Sequence, residues 1–289
     1  MAKQKKSTQA KETPQKTSTP PTVAASKVAK SDQNKALLAW NKLLALVFAA
    51  QAVLIVVLGN SFSVPITTQY QAVDTLASEA SGHEVLATAT RHVFDVRLSY
   101  VVAIFLGLLA VSHLLMATLY RKRYESEVQS GVTGSRWATL GLSGAAMVVA
   151  VSLLSGITSR DALLFSVVLT LGGTIATAAT LRLKQGAERP LSHWVCGLAT
   201  VLSVWPWVVL ASGALMGLAW YGGTIPGYMF GVYAGALLLL GMLILGTRFR
   251  ILGKGRWADS YYTEKAYMAL GFVAATLLAW QIFVGVLYS

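Results

Sequence analysis

Seven apolar segments, each about twenty residues long, constrain this chain more than any other feature of its sequence. An α-helix needs about 20 mostly apolar residues to cross the hydrocarbon of a bilayer. None of the seven alternates apolar and polar residues with a period of two, which excludes a lipid-facing β-barrel. The segments are residues 36–58, 98–120, 137–157, 162–181, 191–216, 227–247 and 265–288. We therefore predict an all-α fold, a bundle of seven transmembrane helices.

Charged residues are scarce in this chain and do not form a single basic patch. Only 12% of the 289 residues are charged and 55% are hydrophobic, whereas charged residues make up about 25% of an average soluble protein. The net charge of +12 comes from Lys and Arg clustered between the apolar segments, where membrane helices usually carry them. We expect a lipid bilayer around this chain and no nucleic-acid partner.

The distribution of basic residues predicts the orientation, because cytoplasmic loops of membrane proteins carry an excess of Lys and Arg. If the N-terminus is cytoplasmic, 21 of the 24 Lys and Arg residues lie on that side, counting Lys42, whose long side chain reaches the inner surface. The three on the opposite side are Arg91, Arg97 and Arg160. We predict a multi-pass protein of the cell membrane with a cytoplasmic N-terminus and an extracellular C-terminus.

Two parts of the chain outside the apolar segments are long. Residues 1–35 contain eight Lys and few large apolar side chains, a composition typical of disorder. We predict a disordered basic cytoplasmic tail, which either contacts anionic lipid headgroups or only sets the topology, followed by a membrane domain at 36–289. The outer segment 60–96 is predicted to be a surface loop or short hairpin. Its four acids with His83 and His92 leave a metal site as the alternative.

The acidic residues indicate that this protein is not an ion pump. All twelve fall in the tail, in loops or at a helix end, with Glu264 assigned to an inner loop, and none lies at mid-membrane. A proton relay or a cation-coupled transporter normally requires a carboxylate there. The sequence also contains no recognisable pair of nucleophile and base, so we expect no enzyme activity.

His113, in the second apolar segment, is the one titratable side chain deep in the predicted membrane region. Either it is neutral and hydrogen-bonds a neighbouring helix, or it accepts a proton or contacts a ligand. Trp205, Pro206 and Trp207 lie in the middle of the fifth segment, where the Pro is expected to kink the helix. The two Trp rings either line a space for a flat apolar ligand or are ordinary packing.

Three glycines, Gly227, Gly231 and Gly235, recur every four residues in the sixth segment. Small residues at this spacing allow two helices to approach closely. This glycine face packs either inside the bundle or against a second subunit.

Short motifs along the chain are similar to those of a known family. In the last third they are 253–257 (GKGRW), 264–267 (EKAY) and 279–283 (AWQIF). Earlier matches are 103–108 (AIFLGL) followed by His113, and the pairs Arg136-Trp137, Pro206-Trp207 and Pro226-Gly227. In this order and spacing the chain resembles the heliorhodopsins, seven-helix retinal proteins with a cytoplasmic N-terminus. The resemblance is strongest in the second, sixth and seventh segments, and it implies a rhodopsin-like bundle and a homodimer.

Two positions depart from the family pattern. The family's Lys that binds retinal as a Schiff base falls on Ala275, within the run 273–276 (VAAT). The family's counterion Glu, two residues after Trp137, falls on Thr139. A buried cation and its carboxylate compensate each other, so losing both avoids an unpaired buried charge. The resemblance therefore implies retinal as the family's cofactor, but no covalent cofactor in this chain.

The candidate pocket residues, from the resemblance and from the Trp-Pro-Trp motif, are His113, Trp205, Trp207, Trp280 and Gln281. Our main hypothesis is a heliorhodopsin-like protein with a sensory or regulatory role, exerted through a protein partner, a lipid or an apolar ligand. One alternative is a photoreceptor that holds retinal non-covalently. The other is a transporter or channel for an uncharged small molecule.

Overall fold

A computed structural model describes residues 23–185, 189–221 and 226–288. Seven helices in the described part are long and apolar enough to cross a membrane, which confirms the predicted number of spans. These spanning helices are α1 Val23–Leu58, α3 Leu98–Ala117, α5 Gly134–Leu154, α6 Arg160–Gln185, α7 Arg189–Tyr221, α8 Gly227–Leu252 and α9 Ser260–Ile282. The last one continues into a π-helical turn, Phe283–Leu287.

The shorter elements lie between the spanning helices. They are β1 Ser63–Val73, α2 Thr75–Ser81, β2 Leu86–Arg97, α4 Arg121–Ser130 and a 3₁₀ turn at Gly255–Ala258. Strands β1 and β2 pair antiparallel, so the outer segment is a hairpin with strands of 11 and 12 residues, longer than predicted. Helix α2 at its tip is capped by Asp74, whose carboxylate accepts a hydrogen bond from the backbone N–H of Ala77 at 3.0 Å.

The first helix begins inside the tail that was predicted to be disordered. Residues 23–35 are part of α1, so the prediction of disorder is wrong there; residues 1–22 lie outside the described residues. Ala, Lys and Gln in this stretch are good helix formers. Once the apolar part of α1 is helical, each further residue adds a hydrogen bond without a new nucleation step.

Consecutive spanning helices pack side by side, as short connections favour. The pairs α1–α3, α3–α5, α5–α6, α6–α7 and α8–α9 are in contact, and α9 also touches α1 and α3. The core between them contains fully buried apolar side chains such as Leu106, Val151 and Leu278. The outer surface is apolar as well, with Val57 and Phe165 about 70% exposed, and an apolar surface of this extent is expected only where lipid covers it.

The glycine face of α8 packs inside the bundle. A Cβ atom added at Gly231 would lie 3.2 Å from Nε2 of Gln281 on α9, and one at Gly235 would lie 3.7 Å from Oε1 of the same side chain. Gly227 has open space at this position. The intramolecular interpretation is therefore confirmed for two of the three glycines. Helix α7 runs through Pro206 without a break.

Candidate functional site

A cavity of about 150 Å³ lies within the bundle, bordered by α3, α5, α6, α7, α8 and α9. This is several times the space that one water molecule requires. Apolar side chains such as Phe105, Leu109, Trp207, Leu239 and Leu278 form much of its lining. An apolar cavity inside a helix bundle with a few polar groups is typical of a small-molecule site.

Most of the polar groups in the lining are hydroxyls. These are Ser143 of α5, Thr200 and Ser203 of α7, Thr247 of α8, and a row on α6 made by Thr170, Thr174, Thr177 and Thr180. Among the described lining residues there is no Lys, Arg, His, Asp or Glu. The cavity therefore offers hydrogen bonds to a ligand but no side chain to neutralise a full charge.

The two tryptophans around Pro206 have different surroundings. Trp207 is buried and lines the cavity. Trp205 is 53% exposed on the outer surface of α7 and does not line the cavity. Positions two apart on a helix point about 200° away from each other, so the Trp-Pro-Trp motif cannot place both rings inside.

The other predicted pocket residues on α9 lie beside the cavity rather than in its lining. Trp280 donates its indole N–H to Oε1 of Gln51 on α1 at 3.2 Å. Gln51 in turn donates to the hydroxyl of Thr276 at 3.3 Å. Gln281 packs against the glycine face of α8. Trp280 therefore connects α9 to α1, and Gln281 packs α9 against α8.

His113 is buried in α3, away from the cavity lining. Its Nδ1 lies 2.7 Å from Oδ1 of Asn41 on α1, and its ring stacks on Phe48 with the centroids 5.7 Å apart. Asn41 donates its amide N–H to the carbonyl of Leu37 at 2.9 Å. The amide oxygen is thus left as an acceptor for the Nδ1–H of His113. The structure shows the interhelical hydrogen bond that was one of the two interpretations.

A buried ion pair joins α5 to α9, and sequence reasoning missed it. Arg136 and Glu264 are 3% and 1% exposed, with their closest atoms 2.8 Å apart, and Nε of Arg136 donates to Oε1 of Glu264 at 2.9 Å. The hydroxyl of Tyr124 on α4 donates to the same oxygen at 2.8 Å. Burial raises the pKa of the Tyr124 phenol, and the charge of Glu264 adds to the rise, so Tyr124 stays a neutral donor.

The assignment of Glu264 to an inner loop was wrong. Helix α9 begins at Ser260, because the carboxylate of Asp259 caps it by accepting from the N–H of Tyr261 at 2.9 Å. Glu264 is therefore in the second turn of a spanning helix. The available signal was the pair of motifs, Arg136-Trp137 and EKAY at 264–267, that carried the family resemblance.

Comparison with known proteins identifies the family. A sequence model of the heliorhodopsins matches residues 37–287. This chain belongs to the heliorhodopsin family. No curated protein sequence matches it. The match confirms the resemblance and agrees with the seven spanning helices. Retinal is the cofactor that membership of this family implies.

The position that the resemblance assigns to the retinal-binding Lys lies in the cavity lining of this heliorhodopsin and is Ala275. A Schiff base requires an amine in the pocket, and no described lining residue is a Lys. Ala275 is 2% exposed and its side chain lines the cavity. Lys42 and Lys265 are exposed at the surface. Thr139 is buried outside the lining, where its hydroxyl donates to the carbonyl of Ser135 at 3.0 Å.

Proposed function

We propose that this heliorhodopsin binds a neutral, largely apolar ligand without a covalent bond in the cavity at Ala275, and that it serves a sensory or regulatory role. The observation that carries the proposal is the lining: it consists mostly of apolar side chains and hydroxyl groups, with no charged or amine side chain among the described residues that line the cavity. Burying a charged ligand there would lack a compensating partner and would be costly. Neither ion pumping nor enzyme activity is part of this proposal.

The polar groups outside the cavity support a role other than ion transport. The buried acid of α9, Glu264, is already neutralised by Arg136 at 2.8 Å, and His113 is held by Asn41. A proton path across the bilayer needs a series of titratable groups that exchange protons. Both pairs instead connect neighbouring helices of the bundle.

The test uses purified full-length protein with all-trans retinal. We expect saturable quenching of tryptophan fluorescence, because Trp207 lines the cavity. We expect no red-shifted visible band and no adduct after borohydride reduction, because no described lining residue carries an amine. In Trp207→Phe the quenching should fall, while the matched variant Trp205→Phe, on the outer surface, should keep it. A red-shifted band from the unmodified chain would overturn the proposal.

A double variant provides the positive control for this experiment. Ala275→Lys with Thr139→Glu restores an amine in the cavity together with a carboxylate on α5. We expect it to bind retinal and absorb in the visible. Ala275→Lys alone should do worse, because a buried cation without a carboxylate has a depressed pKa and stays largely unprotonated. Equal visible absorbance of the single and double variants would contradict the need for a counter-charge at position 139.

A further inference from the structure

The threonine row on α6 presents a uniform chemical face to the cavity. Thr170, Thr174, Thr177 and Thr180 are three or four positions apart and so lie on one side of the helix. Each hydroxyl donates its proton to a carbonyl of its own helix. The acceptors are Ser166 at 2.8 Å, Leu171 at 2.8 Å, Gly173 at 2.8 Å and Ala176 at 2.9 Å, in the same order.

Three of the four described hydroxyls on the other walls make the same kind of bond, and that of Ser203 on α7 does not. Ser143 donates to the carbonyl of Thr139 at 2.7 Å, Thr200 to that of Cys196 at 2.9 Å and Thr247 to that of Leu243 at 2.8 Å. A hydroxyl has one proton and two lone pairs. With the proton committed to the backbone, each of these oxygens is left as an acceptor, and that of Thr247 already faces the hydroxyl of Tyr267 at 3.1 Å.

The cavity therefore matches a ligand that donates a hydrogen bond. A carbonyl group facing the threonine row would meet lone pairs, unless a threonine gave up its bond to the helix. The donors of the lining are the indole N–H groups of Trp137 and Trp207 and the hydroxyl of Ser203. They belong to α5 and α7, so the α6 face itself consists of acceptors. A protonated amine or a carboxylate would bring a charge that no described lining side chain neutralises.

We propose that this cavity selects an apolar alcohol, whose hydroxyl group donates to the threonine row of α6. The inference rests on the proposed function, because it requires that the cavity binds a neutral ligand. It adds that the polar end of the ligand is a hydroxyl group that donates a hydrogen bond. An aldehyde of the same skeleton should bind less well and a carboxylic acid least well.

Three probes with one carbon skeleton test this inference: all-trans retinol, retinal and retinoic acid. Each is titrated into the purified full-length protein, and binding is followed by the quenching of tryptophan fluorescence. One net hydrogen bond corresponds to a preference of about three- to tenfold, so we expect retinol to bind that much more tightly than retinal. Retinoic acid should bind more weakly than both.

Two matched variants test whether the preference for retinol depends on the threonine row. Thr177→Val removes one acceptor with little change in shape and should weaken retinol binding while leaving retinal binding unchanged. Ser166→Ala is the control, because Ser166 is on α6 and donates to Ala162 at 2.9 Å but lies outside the lining. If retinal binds as tightly as retinol to the unmodified protein, the inference is overturned and the proposed function stands. If none of the three probes binds, the proposed function fails and the inference fails with it.

Discussion

At the scale of single residues, the buried ion pair shows how a charge is kept in an apolar bundle. Arg136 and Glu264 come from helices far apart in sequence, and Tyr124 fills a further hydrogen-bonding position of the carboxylate. Removing water from two charges is costly, and their attraction repays this cost only when the geometry is close. The pair is therefore sensitive to the loss of either partner.

We predict that Glu264→Gln destabilises the protein by about 3–5 kcal/mol, because it leaves the Arg136 guanidinium buried without a counter-charge. Thermal unfolding in detergent measures the effect. Glu125→Gln is the matched control: Glu125 pairs with Arg121 at 2.8 Å, but the Arg side chain is 50% exposed, and such pairs contribute at most about 1 kcal/mol. The double change Arg136→Met with Glu264→Leu should recover most of the lost stability. Equal loss from Glu264→Gln and Glu125→Gln would contradict a stabilising role for the buried pair.

At the scale of elements, apolar runs predict which helices exist but not where they end. The seven spans follow from length and hydropathy alone. The ends depend on caps and on polar helix formers, as the Asp259 cap of α9 and the extension of α1 to Val23 show. Ion pairs between distant segments and the orientation of hydroxyls depend on three-dimensional proximity. Of the positions named from the sequence, Trp207 and the resemblance-assigned Ala275 line the cavity, whereas the threonine row was not among the predicted residues.

The contact between α8 and α9 allows a prediction at this scale. Gly231→Ile should lower thermal stability by about 1–3 kcal/mol, because its side chain would collide with Gln281, whose Nε2 is 3.2 Å from the position of a Cβ. The mass of the detergent-solubilised protein should not change. Gly241→Ile is the control, since a Cβ there meets no atom within 4 Å. A change in oligomeric mass for Gly231→Ile alone would assign this face to a subunit interface instead.

At the scale of the whole molecule, the two ends of the helix bundle carry different elements. The hairpin of β1 and β2 joins the end of α1 to the start of α3. Helix α4 and the 3₁₀ turn lie at the opposite end, where Tyr261 of α9 donates to Asn34 of α1 at 2.8 Å. Most basic residues of the loops belong to this second end, and the hairpin carries few. From this charge bias we predict that the end with α4 is the cytoplasmic one.

Cysteine labelling of intact cells tests this orientation. The native Cys196 is buried, so the unmodified chain should give a low background with a membrane-impermeant maleimide. Glu79→Cys, exposed on the hairpin tip, should be labelled from outside, whereas Lys254→Cys, exposed near the 3₁₀ turn, should react only after the membrane is opened. With seven spans the two termini face opposite sides, so a cysteine at Ser289 should behave like the one at position 79. Labelling of position 254 but not of position 79 in intact cells would reverse the orientation. Protection of both position 79 and position 289 would contradict the outside placement of the hairpin and the C-terminus.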